Sequence, residues 1–128
     1  MSDSPSLRWL RNRINIWQRR TFLEFWQLDI QFRDKLESNA AAITTWSHGY
    51  SSGTIHFSVD AYNAMDEDEV DLLIVHELYH LFTAREDDAL ADMVGRDGEV
   101  YKSCSKPAEL SADHFAKVLV KAYSRKGK

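Results

Sequence analysis

In the run VDLLIVHELYHLF, residues 70–82, His76 and His80 stand four positions apart with Glu77 between them. On a helix of 3.6 residues per turn the two imidazoles project about 40° apart from one face, so both reach one tetrahedral metal ion. Glu77 falls beside them, placed to act on water at that ion rather than to ligate it. Val70, Leu73, Ile74, Leu78 and Leu81 would bury much of this helix, and buried polar groups are costly unless partnered. A metal supplies the partner. Two core histidines beside a paired glutamate is the competing reading of the five-residue motif alone.

A catalytic zinc site takes three protein ligands and keeps one position open, so a third ligand is expected downstream. The run Pro107–Ala116, PAELSADHFA, reads as the start of a second helix, with Ser105 or Lys106 as cap and Pro107 in its first turn. Its core stripe is Ala112, Phe115, Ala116, Leu119 and Tyr123. Glu109 and Asp113 share the edge of that stripe. Glu109 is then the third ligand, and Asp113, one turn later, would accept the spare N–H of a ligating histidine and fix its orientation. Taken alone, Glu109 reads as a first-turn acid complementing the helix dipole. The upstream histidine pair reverses that preference.

HELYH followed by Glu109-Leu110-Ser111-Ala112-Asp113 matches the HExxH plus ExxxD arrangement of the gluzincins, metallopeptidases with a glutamate as third ligand. The segment ELSADHFAKVL resembles the E-x-x-A-[ND]-x-F-A stretch of ImmA/IrrE-type peptidases, and the size and element order resemble the minigluzincins and phage-encoded metallopeptidases. The matching residues are about 70–82 and 107–119. One departure is Tyr79, where the ImmA/IrrE group often has Gly; a ring there narrows the approach to the metal or packs on a neighbour, and substrate preference does not carry over. The resemblance implies an α+β, minimal zincin-like fold and a peptide or protein substrate that pairs, extended, with a sheet strand beside the active helix. The strand expected in that role is Thr54–Val59, with Ile55, Phe57 and Val59 facing the core and Thr54, His56 and Ser58 facing outward.

Zinc, one Zn2+ per chain on His76, His80 and Glu109, would lower the pKa of water from about 15.7 towards about 7. Glu77 would take the proton as water attacks a peptide carbonyl and deliver it to the leaving amine. The developing oxyanion needs a further electrophile. Tyr101, His114 and Tyr123 qualify by residue type; His114 points away from Glu109 on an ideal helix and Tyr123 lies on the core stripe, so Tyr101 remains by elimination. Two other readings share these residues: a catalytically inactive or regulatory zincin-fold module that binds a protein or nucleic acid, and hydrolysis of a non-peptide amide. Glu77 argues against the first, because a purely structural metal site needs no general base.

The 128 residues suit one domain spanning 1–128 with one core. No apolar run spans a bilayer, and MSDSPSLRWLRNR contains no apolar signal segment. The lone Cys104 excludes an intrachain disulfide and suits a reducing, cytoplasmic setting. Net charge is −4 and unevenly spread: arginines at 8, 11, 13, 19 and 20, lysines and Arg125 after Asp113, and acids at 66–71 and 86–88 between them. Basic ends interleaved with Trp9 and Trp17 raise nucleic-acid contact, but the overall acidity favours a solvated helix face and a basic tail.

These residues need elements to position them. Leu7, Leu10, Ile14 and Trp17 recur at helical spacing over 5–20. Trp26, Leu28, Ile30 and Phe32 alternate with polar residues as a half-buried strand, and Ala41–Trp46 and Thr54–Val59 are two more strands around the turn HGYSSG. Asp66 with Glu69 makes a capping pair before the HExxH helix. A short helix near Asp87–Met93, a loop at Gly95–Gly98 and a final helix over 107–124 complete the order.

Overall fold

The computed structural model describes residues 6–47 and 51–126. Helix α1 (Leu7–Arg20) is followed by β1 (Gln27–Arg33), a short 3₁₀ turn (Glu37–Asn39), β2 (Ala42–Trp46), β3 (Ser52–Ser58), α2 (Val59–Asn63), α3 (Glu67–Phe82), α4 (Ala84–Val94) and α5 (Glu99–Lys126). The architecture is mixed α and β, with a three-stranded sheet in the order β1-β3-β2. β3 pairs parallel to β1 and antiparallel to β2.

The apolar periods explain most of these elements. In α1, Ser6 caps the N-terminus through its side chain, and Leu10, Ile14 and Trp17 are buried. In β3, Ile55 and Phe57 are fully buried, as a period of two requires. They join Ile74, Val75 and Leu78 of α3 and Ala116 of α5 in one contiguous core cluster. Helix α3 starts with a full capping box: the Asp66 carboxylate accepts the Glu69 N–H at 2.9 Å and the Glu69 carboxylate accepts the Asp66 N–H at 3.1 Å. Asp71, buried on α3, accepts two hydrogen bonds from the Arg13 guanidinium, at 2.9 and 2.8 Å, and one from the Trp17 indole at 2.9 Å. That pairing ties α1 to α3. Arg20 lies over the rings of Trp17 and Tyr123, at 4.7 and 4.0 Å from their centroids. Two of the first helix's arginines are thus packing and pairing groups rather than part of a hydrated face.

Several expectations change. Val59, expected as a strand residue, opens α2, where the Ser58 hydroxyl accepts the Ala61 N–H at 3.4 Å. Of the expected turn HGYSSG, positions 48–50 lie outside the described residues, and Ser52 and Gly53 belong to β3. A Cβ on Gly53 would stand 2.7 Å from the Thr45 carbonyl oxygen, so glycine there permits the β2–β3 approach. The short helix near 87–93 is longer and begins directly after Thr83; Gly95, at φ 79°, ends it.

The largest correction concerns the final helix. It does not begin at 107 but runs from Glu99 with Pro107 inside it. Proline removes one backbone donor and crowds the preceding turn, yet its fixed φ is helical, so one lost bond does not end a helix anchored on both sides. The Tyr101 hydroxyl anchors the earlier half to α4, donating to Asp87 at 2.7 Å. Among the described residues no helix is long and apolar enough to cross a membrane.

Candidate metal centre

Helix α3 carries His76, Glu77 and His80, and α5 packs against it with Glu109 and Asp113 on the facing edge. His76 Nε2 lies 2.9 Å from Glu109 Oε1, and His80 Nε2 lies 3.2 Å from Glu109 Oε2. Ligand atoms of the three residues all fall within 4.8 Å of one another. Asp113 Oδ1 sits 2.8 Å from His76 Nδ1. An ionised carboxylate only accepts, so it takes the Nδ1 proton and leaves the His76 Nε2 lone pair facing the Glu109 oxygen. Two lone pairs at 2.9 Å repel unless a cation lies between them. A proton on His76 can serve, and so can a metal ion; the two-nitrogen, one-oxygen donor set fits zinc.

The electrostatics follow from burial and neighbours. Burial pulls the His76 pKa down, but Glu77, Glu109 and Asp113 together outweigh it, and the net shift is upward. His80 moves down, because its burial exceeds what Glu109 returns. Glu77 is buried, at 3% exposure. Burial pushes its carboxyl up to about 7, against the opposing hydrogen bond from Thr44 and the charge of His76. The Thr44 hydroxyl donates to Glu77 Oε1 at 2.7 Å. The other oxygen, Oε2, stands 3.9 Å from His76 Nε2. Glu77 is therefore beside the cluster without joining it. Glu109, with its side chain 58% exposed, leaves one flank of the cluster open to solvent.

Thr44 is the functional residue that sequence reasoning missed. It lies on β2, is separated from Glu77 by a strand and a helix, and belongs to no motif. Only the tertiary approach of β2 to α3 gives it a role. Tyr79 packs its ring on Phe115, centroids 5.2 Å apart, so the bulk at that position is a contact between α3 and α5.

Three expectations about the surroundings fail. Tyr101 is not brought to the cluster: its hydroxyl donates to both Asp87 oxygens, at 2.7 and 2.9 Å, and accepts from Arg96 at 2.9 Å. Its Cα also precedes that of Glu109 by about 12 Å of helix rise, and burial with Asp87 raises its pKa, which disfavours proton donation. β3 is not an edge strand, because β1 and β2 flank it, so its main chain has no free side for a peptide. Of its polar residues, Thr54 and His56 face away from the buried Ile55 and Phe57 as expected, but Ser58 is buried rather than outward. His56 is held on the sheet face away from the buried Ile55 and Phe57, with Arg33 donating to Nδ1 at 3.3 Å and Thr45 Oγ1 at 3.2 Å from Nε2. Thr54 alternates onto that same face, and Ser58 is buried as the α2 cap. Strand order, which a strand's own residues do not encode, decided the central position of β3. The edge strand beside α3 is β2: Thr44 reaches Glu77, and the Trp46 indole donates to Asp88 of α4 at 3.1 Å.

No protein-family model, curated protein or solved structure matches the chain.

Proposed function

We propose that the chain is a zinc-dependent metallopeptidase of gluzincin type with a minimal zincin-like fold, binding one zinc ion through His76, His80 and Glu109. One observation carries this reading: two imidazole Nε2 atoms meet the two Glu109 carboxylate oxygens at 2.9 and 3.2 Å, with Asp113 2.8 Å from His76 Nδ1 to orient that ring, a grouping suited to hold one cation. A zinc ion bound there acidifies water and polarises a carbonyl oxygen. The remaining roles belong to the chain. Thr44 fixes one oxygen of Glu77 and leaves Oε2 free on the cluster side. Glu77 Oε2 takes the proton of the attacking water and returns it to the leaving nitrogen. A carboxyl poised near 7 suits both transfers at neutral pH, and a cation at the site would bring it lower. Asp113 holds the His76 ring in one tautomer throughout. The unpaired side of β2 lies where an extended substrate could add a strand through main-chain hydrogen bonds.

Elemental analysis of chelator-free protein tests the metal, and digestion of an unfolded protein substrate tests the activity. About one zinc per chain is expected, lost when both histidines are replaced by alanine. Unchanged stoichiometry in that variant would sink the assignment.

A further inference from the structure

Helix α1 holds five arginines and no acidic residue, and packing divides them. Arg13 is paired with Asp71, and Arg20 lies over Trp17 and Tyr123. Arg8, Arg11 and Arg19 are exposed, and among the described residues their side chains make no hydrogen bond or ion pair. With the exposed Asn12 and Asn15 they fall within an arc of about 100° on the helix, over about 17 Å of its length. The acids Glu67, Asp68 and Asp71 border α1 on the side of Arg13 and Arg20. The outer face therefore stays basic although the chain as a whole carries −4.

The same helix ends in a turn that holds two rings in water. The Phe22 N–H donates to the Arg19 carbonyl at 3.2 Å and the Leu23 N–H to that of Gln18 at 2.7 Å, a helix stop whose left-handed pivot is usually glycine. Here the pivot is Phe22, at φ 60°. Its ring is 79% exposed, and that of Phe25 is 61% exposed. The turn is pinned from inside: Leu23 is buried, and the buried Gln18 amide donates to the Leu23 and Trp26 carbonyls at 3.1 and 3.0 Å. A groove of about 310 Å³, lined by Asn15, Arg19, Glu24 and Trp26, joins the turn to the arginine face. A bulky residue in a strained conformation, presented to solvent, adds nothing to the core and suits a contact outside the chain.

Unpaired guanidinium forks beside exposed flat rings match the two parts of a nucleic-acid strand, phosphate and unpaired base. We propose that the outer face of α1 and the Phe22–Phe25 turn bind single-stranded nucleic acid. Arg8, Arg11 and Arg19 contact its phosphates, and the two phenyl rings stack on its bases. An anionic bilayer fits this surface less well. Seating both rings there carries the carboxylate of Glu24, exposed between them in the chain, into a negatively charged surface, whereas a bound strand leaves it in water. The site is separate from the candidate metal centre and does not rest on the metallopeptidase reading.

The test is fluorescence anisotropy of the full chain with an oligothymidylate of about 15 nucleotides, an abasic strand and a duplex of the same length. Co-sedimentation with phosphatidylserine–phosphatidylcholine vesicles runs beside it. The oligothymidylate should bind more tightly than about 100 μM at low salt, and log K should fall against log salt with a slope of about −2, as three phosphate contacts on a single strand require. Arg8→Gln, Arg11→Gln and Arg19→Gln together should weaken binding at least about ten-fold and flatten that slope. Phe22→Gly with Phe25→Ala should weaken it about five-fold or more at unchanged slope, since glycine keeps the turn, and should leave the abasic strand unaffected. Lys106→Gln, Lys117→Gln and Lys121→Gln together, an equal charge change elsewhere, should alter binding less than about two-fold. All these side chains except Phe22 and Phe25 are charged and all are exposed, so the variants should keep the melting temperature of the unaltered chain. Absent binding, binding that survives the arginine changes, an equal loss from the lysine changes, or a duplex bound as tightly as the single strand overturns the proposal. Vesicle binding without oligonucleotide binding overturns it in favour of a membrane surface.

Discussion

Helix α3 buries Val70, Ile74, Val75, Leu78 and Leu81 together with Asp71 and Glu77, whereas α4, joined to it at Thr83, buries only Ala84 and Ala91. The first begins in a capping box; the second has no side-chain cap. What holds α4 is polar and peripheral: Arg96 bridges Asp87 and Asp88 at 3.2 and 2.9 Å, Tyr101 donates to Asp87, and Trp46 donates to Asp88. The Arg96 side chain is 42% exposed, so water screens its ion pairs. The two histidines of the candidate centre, with Glu77, thus stand on a helix fixed by close packing, where small displacements are costly. The neighbouring helix is fixed by contacts that salt and single substitutions weaken. Precision is concentrated in α3, and compliance is left to α4.

Substitutions should separate the two helices. The largest effect is expected at Glu77, where Glu77→Gln should retain zinc and lower peptide hydrolysis by about 10²–10⁴-fold, the usual worth of a positioned general base. Steady-state kinetics with metal analysis on the same sample checks it, and a wild-type rate would remove Glu77 from the mechanism. Next is packing: Ile74→Ala should destabilise the chain by about 2–5 kcal/mol in urea unfolding. A loss below 1 kcal/mol there would erase the contrast with α4.

Asp113→Ala should weaken zinc affinity by about 10–100-fold, read by chelator competition. No change would reduce Asp113 to a surface acid. A smaller and slower trend is expected with pH in the metal-free chain. Glu77 keeps its proton up to about 7 when folded, against 4.5 as its ordinary value. Its contribution to stability is therefore full below about pH 4.5 and is lost as pH rises through about 7. Glu77→Gln should flatten that part of the stability profile, and an identical slope in both proteins would contradict it. The smallest effect belongs to α4: Arg96→Ala should cost no more than about 1 kcal/mol, less at high salt.

The chemistry-bearing residues were more legible than their surroundings. The four-residue spacing of His76 and His80 is converted directly into one helix face, because helical geometry is local. The capping pair Asp66 and Glu69 and the stripe Ala112, Phe115, Ala116 were legible for the same reason: each follows from bonds or periods within a few residues. Glu109 and Asp113 required one more step, a ligand count that zinc imposes. Pro107 misled because a proline's local preference for a helix start competes with anchoring that comes from elsewhere, here Asp87 on Tyr101.

Sequence by itself determined the amphipathic helices, the alternating strands and the identity of the clustered side chains, since these depend on covalent spacing and burial periodicity. Tertiary structure alone decided that β3 lies between β1 and β2, which moves the available edge to β2. It alone brought Thr44 to Glu77 and Arg13 to Asp71, across separations of 33 and 58 residues. Strand order and side-chain pairing at such distances are set by how whole faces pack, and no local period carries that information.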